Sequence, residues 1–274
     1  MMDKQVLSKW LKVGYLEKEV FYHTQEGVPQ GGIISPTLML LTLRGLEAVV
    51  KQSAPKKPDK VNTVVYADDF IITADSKEIL ENKVKPTLKA FLAVRGLELS
   101  ETKTKITDIH DGFNFLGFNV RKYNSTLLIK PAKPNVLAFI RNIKAVIKRN
   151  AMTSAGELIA ILNPKIRGWG NYYRHAVSSK TFRYVNHQIF ESLYRWAKRR
   201  HPNKSVTWIV KKYYRMDNAN EWRLHGQTRL KDGRKRYHQL IRMNEIPIVR
   251  HVKIIGEANP YDPNYQEYFG SMNI

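Results

Sequence analysis

The sequence contains no cysteine among its 274 residues. That excludes disulfide staples and thiolate metal sites, and with them the zinc fingers and zinc knuckles that many small domains use to meet nucleic acid. Long apolar runs are missing too. Nothing approaches the roughly 18 to 20 uninterrupted apolar residues of a transmembrane helix, and the opening Met1-Met2-Asp3-Lys4 lacks the apolar core of a signal peptide. The chain therefore reads as soluble and intracellular, with no membrane partner. There is no internal repeat and no low-complexity tract, and the eight histidines fall at no ligand spacing such as His-Glu-x-x-His. Acidic residues are scarce in one region. Residues 1–120 carry 15 acids against 16 Lys and Arg, whereas residues 121–274 carry 9 against 30.

What is present follows from these gaps. An apolar content of 43% can build a sizeable core. The net charge of +22 exceeds what solubility requires and favours a polyanion as partner, RNA or DNA first. The uneven charge divides the chain into a near-neutral module, 1–130, and a basic one, 131–274, with the boundary in the Pro-punctuated stretch Lys130-Pro131-Ala132-Lys133-Pro134. In the first module, apolar spacing predicts a helix over 3–17 with Gly14 near its end. The segment from Gly27 to Gly32 predicts a Gly-rich loop, and Ser35-Pro36 reads as a cap opening a helix from Thr37 to about Val50. Two β-rich runs, 61–66 and 70–73, joined by Ala67-Asp68-Asp69, predict a hairpin. A helix from Ser76 to about Arg95 with Gly96 behind it follows, then short strands at 113–121 and 125–130. Beyond Pro134 the pattern is helical, strongest at 135–150, 154–162, 180–200 and 204–215. The fold class is α+β, with an α-helical second part following the strands.

Tyr66-Ala67-Asp68-Asp69 is the sharpest chemical signal. Adjacent acids on a tight turn after an apolar strand are costly unless solvated or bound to metal, and two-metal phosphoryl transfer needs carboxylates projecting into a shared site. An Asp-Asp pair at a hairpin turn is, taken alone, more often just a solvated turn. The basic half interleaves cations with aromatics from Lys165 to Arg215, a pattern that suits phosphates and bases. Many of those aromatics, Trp196 and Trp208 especially, fit a helix core equally well.

The order of motifs adds a resemblance. Pro29-Gln30-Gly31-Gly32-Ile33-Ile34-Ser35-Pro36 followed by Tyr66-Ala67-Asp68-Asp69 resembles a reverse transcriptase palm. Gly96-Leu97-Glu98-Leu99-Ser100-Glu101-Thr102-Lys103-Thr104 and Phe115-Leu116-Gly117-Phe118 resemble the next two blocks of that family. Arg167-Gly168-Trp169-Gly170-Asn171-Tyr172-Tyr173-Arg174 and the run Trp196 to Pro202 are similar to the maturase-specific domain of group II intron-encoded proteins. The resemblance spans about residues 3–270. It implies a partial reverse transcriptase palm of antiparallel strands with helices, followed by an α-helical thumb and maturase domain.

What the resemblance implies for single residues follows motif by motif. Asp68 is the metal-binding, catalytic acid and Asp69 its less certain neighbour. Gln30, Tyr66 and Ala67 belong to the nucleotide site, and Lys103, Leu116 and Gly117 to the primer and template. The RNA surface of the basic half comprises Arg167, Trp169, Asn171, Tyr172, Tyr173, Arg174, Lys198, Arg199, Arg200, Lys211 and Lys212. The implied cofactor is Mg²⁺ in a two-metal site, and the implied partners are intron RNA, RNA template with DNA primer, and dNTP, in the cytoplasm of a bacterial cell. In the family a further metal-binding Asp precedes the Pro-Gln-Gly block, and Asp3 does not match it. The expectation is a chain missing that acid and the fingers, completed by an upstream reverse transcriptase fragment or by a homodimer. A noncatalytic splicing factor that only binds intron RNA, or a degenerate remnant, is the alternative. No Cys-rich tail follows Asn259-Pro260-Tyr261-Asp262-Pro263, so an endonuclease domain is not expected.

Overall fold

The computed structural model describes residues 4–17, 19–22, 34–216, 222–230, 232–249, 254–255 and 258–271. They form two compact units, Met1–Asp108 and Ile109–Ile274. The division falls at 108/109 rather than at the Pro-punctuated stretch. The strands on either side of residue 125 are tied to the helices that follow them, through Ala132 N–H to Gly117 O (2.9 Å) and Val177 N–H to Ile129 O (2.9 Å).

The first unit runs α1 (Lys4–Lys12), β1 (Tyr15–Glu17), β2 (Val20–Tyr22), α2 (Ser35–Thr42), α3 (Leu46–Ser53), β3 (Asn62–Tyr66), β4 (Asp69–Thr73), α4 (Lys77–Ile79) and α5 (Lys85–Ala93). The helix expected over 3–17 stops before Gly14, whose φ of +76° suits no other residue well, and residues 15–17 pair as a strand. The single helix expected from Thr37 to Val50 is broken in two at Gly45, φ +90°. Ser35 lies inside α2 rather than capping it, because the cap position is Ile34. Between α4 and α5 the chain makes a π turn, Leu80–Val84. The cause is Pro86, which has no N–H to give and whose ring would meet the carbonyl four residues back; widening the preceding turn removes the clash. Gly96 closes α5 as expected, with Leu97 N–H reaching back to Leu92 O at 3.0 Å. The core of this unit is Leu43, Leu46, Val50, Val84, Leu88, Phe91 and Leu92, and the inner face of the β3–β4 hairpin, Val65, Phe70 and Ile72, packs on it.

The second unit begins with a three-stranded antiparallel sheet, β5 (Phe113–Phe115), β6 (Phe118–Tyr123) and β7 (Thr126–Pro131), in sequence order. Four helices follow: α6 (Lys133–Arg149), α7 (Ala155–Tyr173), α8 (Ser179–Arg200) and α9 (Val206–Tyr213). Helix α7 runs well past the expected 154–162. It opens on a capping box between Ser154 and Glu157 and continues through Pro164. Beside that proline, the Asn163 amide donates to Gln239 O and accepts from Ile241 N–H, both at 2.9 Å. Strands also occur beyond Pro134. A second antiparallel sheet, in the order β10-β9-β8, is built from β8 (Tyr214–Met216), β9 (Trp222–Arg229) and β10 (Lys235–Gln239), and a short α10 (Gln266–Gly270) comes later. Helix α7 meets β9 backbone to backbone: a Cβ on Gly156 would lie 2.4 Å from Gln227 O, and one on Gly226 would lie 2.2 Å from Gly156 N. The core joins all four helices to β9 through Ile143, Leu158, Leu162, Phe182, Leu193, Trp196, Ile209 and Leu224. Among the described residues no helix is long and apolar enough to cross a membrane.

Candidate functional site

β3 and β4 pair from Asn62↔Thr73 to Tyr66↔Asp69, so the connection is Ala67-Asp68 alone. Two-residue hairpin loops that match the strand twist require positive φ at their first central position. Ala67 supplies it at φ +54°, where an alanine is strained and glycine would be at ease. Asp68 and Asp69 are both exposed at the hairpin tip, and neither side chain makes a hydrogen bond or ion pair with a described residue. Tyr66 is exposed beside them on the outer face of β3. Gln30 lies outside the described residues. Lys103 is exposed, its N–H turned onto Ser100 O at 3.1 Å. Among the described residues no three His, Asp or Glu side chains come together as a metal site.

The second turn of interest joins β5 to β6. Phe115↔Phe118 close a two-residue loop, Leu116-Gly117, with φ +47° and +79°. Left-handed backbone at both positions suits Asn-Gly; a leucine at the first is under strain. The turn is clamped from the end of α7: Tyr172 Oη donates to Leu116 O at 2.7 Å and Tyr173 Oη to Gly117 O at 3.1 Å. Burial pushes the Tyr173 phenol above its ordinary value, with Tyr172 adding to the shift, so the hydroxyl keeps the proton it donates. A Cβ at residue 117 would come within 2.8 Å of that hydroxyl, so glycine is required on two counts. The structure thus joins two blocks, 115–118 and 167–174, that the sequence offered as separate. No sequence pattern announced the clamp, since a tyrosine hydroxyl can reach any carbonyl.

The expected RNA surface divides. Tyr173 is 2% exposed and Trp169 sits between Phe139 and Tyr173, with ring centroids at 4.8 and 4.3 Å. Tyr173 is a core residue and Trp169 is half-buried against that core with Phe139 stacked on it, so neither presents a free face to a base. Tyr172 is 53% exposed but lies against Phe118 on one face. Arg167 and Asn171, one helical turn apart, are exposed. Lys198 and Arg199 are exposed in the last turn of α8, where cations also complement the helix dipole. Arg200 is different: its guanidinium donates to the carbonyls of Ala151 (3.1 Å) and Thr153 and lies over Trp196, so it fastens the α6–α7 connection. Lys211 and Lys212 are exposed on α9, and Lys212 rests over Trp208 at 4.7 Å. Sequence reasoning missed His201. Its Nε2 is 2.8 Å from Tyr213 Oη and 3.4 Å from Lys212 Nζ. Partial burial first, then Lys212, Arg200 and Lys204, hold its imidazole below the usual value, so it is the neutral member of a cationic cluster.

Residues 2–120 match the family model of reverse transcriptase (RNA-dependent DNA polymerase), and residues 136–214 match the group II intron maturase-specific domain. Together the two matches cover most of the chain, a reverse transcriptase segment followed by a maturase-specific one. It is 26% identical to the group II intron-encoded protein LtrA of Lactococcus lactis subsp. cremoris, over 63% of this chain and 43% of that protein. It is 30% identical to protein YkfC of Escherichia coli (strain K12), over 44% of this chain and 39% of that one. A third relative, an uncharacterized 91 kDa protein in the cob intron of Schizosaccharomyces pombe, is 21% identical over 62% of this chain and 30% of its own length. The chain thus spans less than half the length of each relative. In reverse transcriptase/maturase terms, the Asp68-Asp69 turn and the Leu116-Gly117 turn lie within the polymerase match, and the Tyr172-Tyr173 clamp within the maturase match.

Proposed function

We propose that the chain is the palm-to-maturase portion of an enzyme that copies RNA into DNA and also binds intron RNA in support of splicing. The observation that carries this reading is the Tyr66-Ala67-Asp68-Asp69 turn, a strained alanine holding two exposed carboxylates inside the segment that matches reverse transcriptase. Mg²⁺ suits this donor set, a hard cation with oxygen ligands in a chain with no thiolate. Asp68 and Asp69 would hold it. Bound there, it would supply the charge stabilisation that in-line phosphoryl transfer from a dNTP to a primer 3′-hydroxyl requires. Two carboxylates are fewer than two ions need. A further acid has to come from outside these residues, on another segment of the same polypeptide, on an upstream fragment or on a second copy. Tyr66 and Ala67 line the nucleotide, Gln30 faces it, and Lys103 lies near phosphates. The Leu116-Gly117 turn, stiffened by its two tyrosines, supports the primer end.

The placement of charge favours a second reading, intron RNA binding without catalysis. The exposed cations Arg167, Lys198, Arg199, Lys211 and Lys212 all belong to the basic half and need no help from Asp68. Primer extension on an RNA template separates the two. With the 274 residues alone no product is expected. With a polypeptide carrying the fingers and the remaining palm acid, extension is expected, and Asp68→Ala should abolish it while leaving RNA affinity intact. Extension by the chain alone that Asp68→Ala removes would contradict the ligand count. No extension from an associated, soluble pair would leave RNA binding as the function.

A further inference from the structure

A cleft of about 460 Å³ opens in the second unit between α8 and the sheet that begins at Tyr214. That volume lies in the range of small-molecule sites. Phe190 and Trp222 line it and remain 40% and 45% exposed, while Leu193, Leu224 and Leu240 belong to the buried core. Trp222 is held in place by the Arg242 guanidinium, which donates to its carbonyl at 3.2 Å. Arg183 stands one turn before Asn186 and His187 on the α8 side of the cleft, and none of the described residues lining the cleft is acidic. Tyr214 also lines the cleft. It is 3% exposed, packs on Phe190 with ring centroids 5.4 Å apart, and its buried hydroxyl has no hydrogen-bond partner among the described residues. A phenylalanine would fill the same space without a hydroxyl that no described residue satisfies.

We propose that this cleft takes up an unpaired nucleobase of bound RNA, stacked against Phe190 and Trp222. The base edge meets the Asn244 amide, and the flanking phosphate meets Arg183. Exposed aromatic faces accept any base, and the arginines of the lining, Arg183, Arg223 and Arg242, favour a polyanion. This rests on the RNA-binding reading above and adds where an extruded base goes.

Fluorescence anisotropy with the full chain and two labelled probes tests it: a single-stranded 12-nucleotide RNA of mixed sequence, and an abasic RNA of the same length. The base-bearing probe should bind about ten-fold more tightly. Trp222→Ala and Phe190→Ala should each remove most of that ratio, leaving abasic affinity and its salt dependence unchanged. Tyr214→Phe keeps the packing and removes only a buried hydroxyl; it should leave the ratio unchanged while the free protein melts at the same temperature or higher. A wild-type ratio near one, or a ratio untouched by Trp222→Ala and Phe190→Ala, overturns the pocket and leaves RNA binding standing. If neither probe binds under low salt, the RNA-binding reading fails with it.

Discussion

At Ala67 a methyl group is carried in left-handed backbone, at φ +54°, on the turn that presents Asp68 and Asp69. Placing an L-residue there costs roughly 1–2 kcal/mol, offset in part because glycine would give the unfolded chain about 0.4–1 kcal/mol more entropy to lose. Ala67→Gly should therefore raise the melting temperature slightly, by a net gain of up to about 1 kcal/mol. A clear fall in a thermal melt would show that the alanine side chain does more in packing than in strain. A second prediction at this scale concerns protons. His201 is lowered by partial burial and then by Lys212, Arg200 and Lys204, and His225 by burial and then by Arg215. Both have folded pKa values below the unfolded one, so the unfolded chain binds more protons as pH falls through about 6.5. Stability should be flat above neutrality and be lost from there down to the lowered folded values. Melting temperatures at constant ionic strength at pH 7.5 and 5.5 check this. The double variant His201→Gln with His225→Gln should lose less on acidification, and a wild type that is steady or more stable at pH 5.5 contradicts the account.

Between elements, stability concentrates where backbones or hydroxyls meet. The Tyr173 hydroxyl on Gly117 O is worth about 1 kcal/mol, and Tyr173→Phe should lower stability by that amount in chemical denaturation. No change would mean that the buried ring, not the clamp, holds the turn. Gly226→Ala should cost about 3 kcal/mol, since its Cβ would lie 2.2 Å from a backbone nitrogen that cannot step aside. The same junctions explain what could and could not be read in advance. The β3–β4 hairpin and its Asp68-Asp69 turn were legible because a two-residue loop between alternating apolar runs is a local signal. The end of α5 at Gly96 was legible for the same reason. The break at Gly45 and the π turn before Pro86 were not, because each lies within an apolar or helical pattern that continues on both sides. β9 escaped because Trp222-Arg223-Leu224-His225-Gly226 carries charge and glycine where a buried strand would show β-branched residues; its partner is α7, some 70 residues earlier. Trp169 and Tyr173 were legible as aromatic, yet only packing shows which faces are covered.

Across the whole molecule, the chain carries nearly all of its excess charge in residues 121–274, and the acids with chemistry on offer in residues 1–120. The central claim is that RNA affinity belongs to the exposed cations of the basic half and is independent of the palm carboxylates. Arg200 is excluded from that surface, because its guanidinium is spent on the carbonyls of Ala151 and Thr153; Arg200→Ala should lower stability more than Lys198→Gln does. Each phosphate neutralised contributes a log–log salt slope of roughly −0.7 to −0.9 through counterion release. The most direct measurement is the affinity of the full chain for structured intron RNA at several salt concentrations, for wild type, Asp68→Asn, and the triple variant Lys198→Gln, Arg199→Gln, Lys211→Gln. The account predicts a slope flatter by about two to three units in the triple variant, with Asp68→Asn unchanged or slightly tighter. An unchanged slope in the triple variant, or a marked loss of affinity in Asp68→Asn, would contradict it.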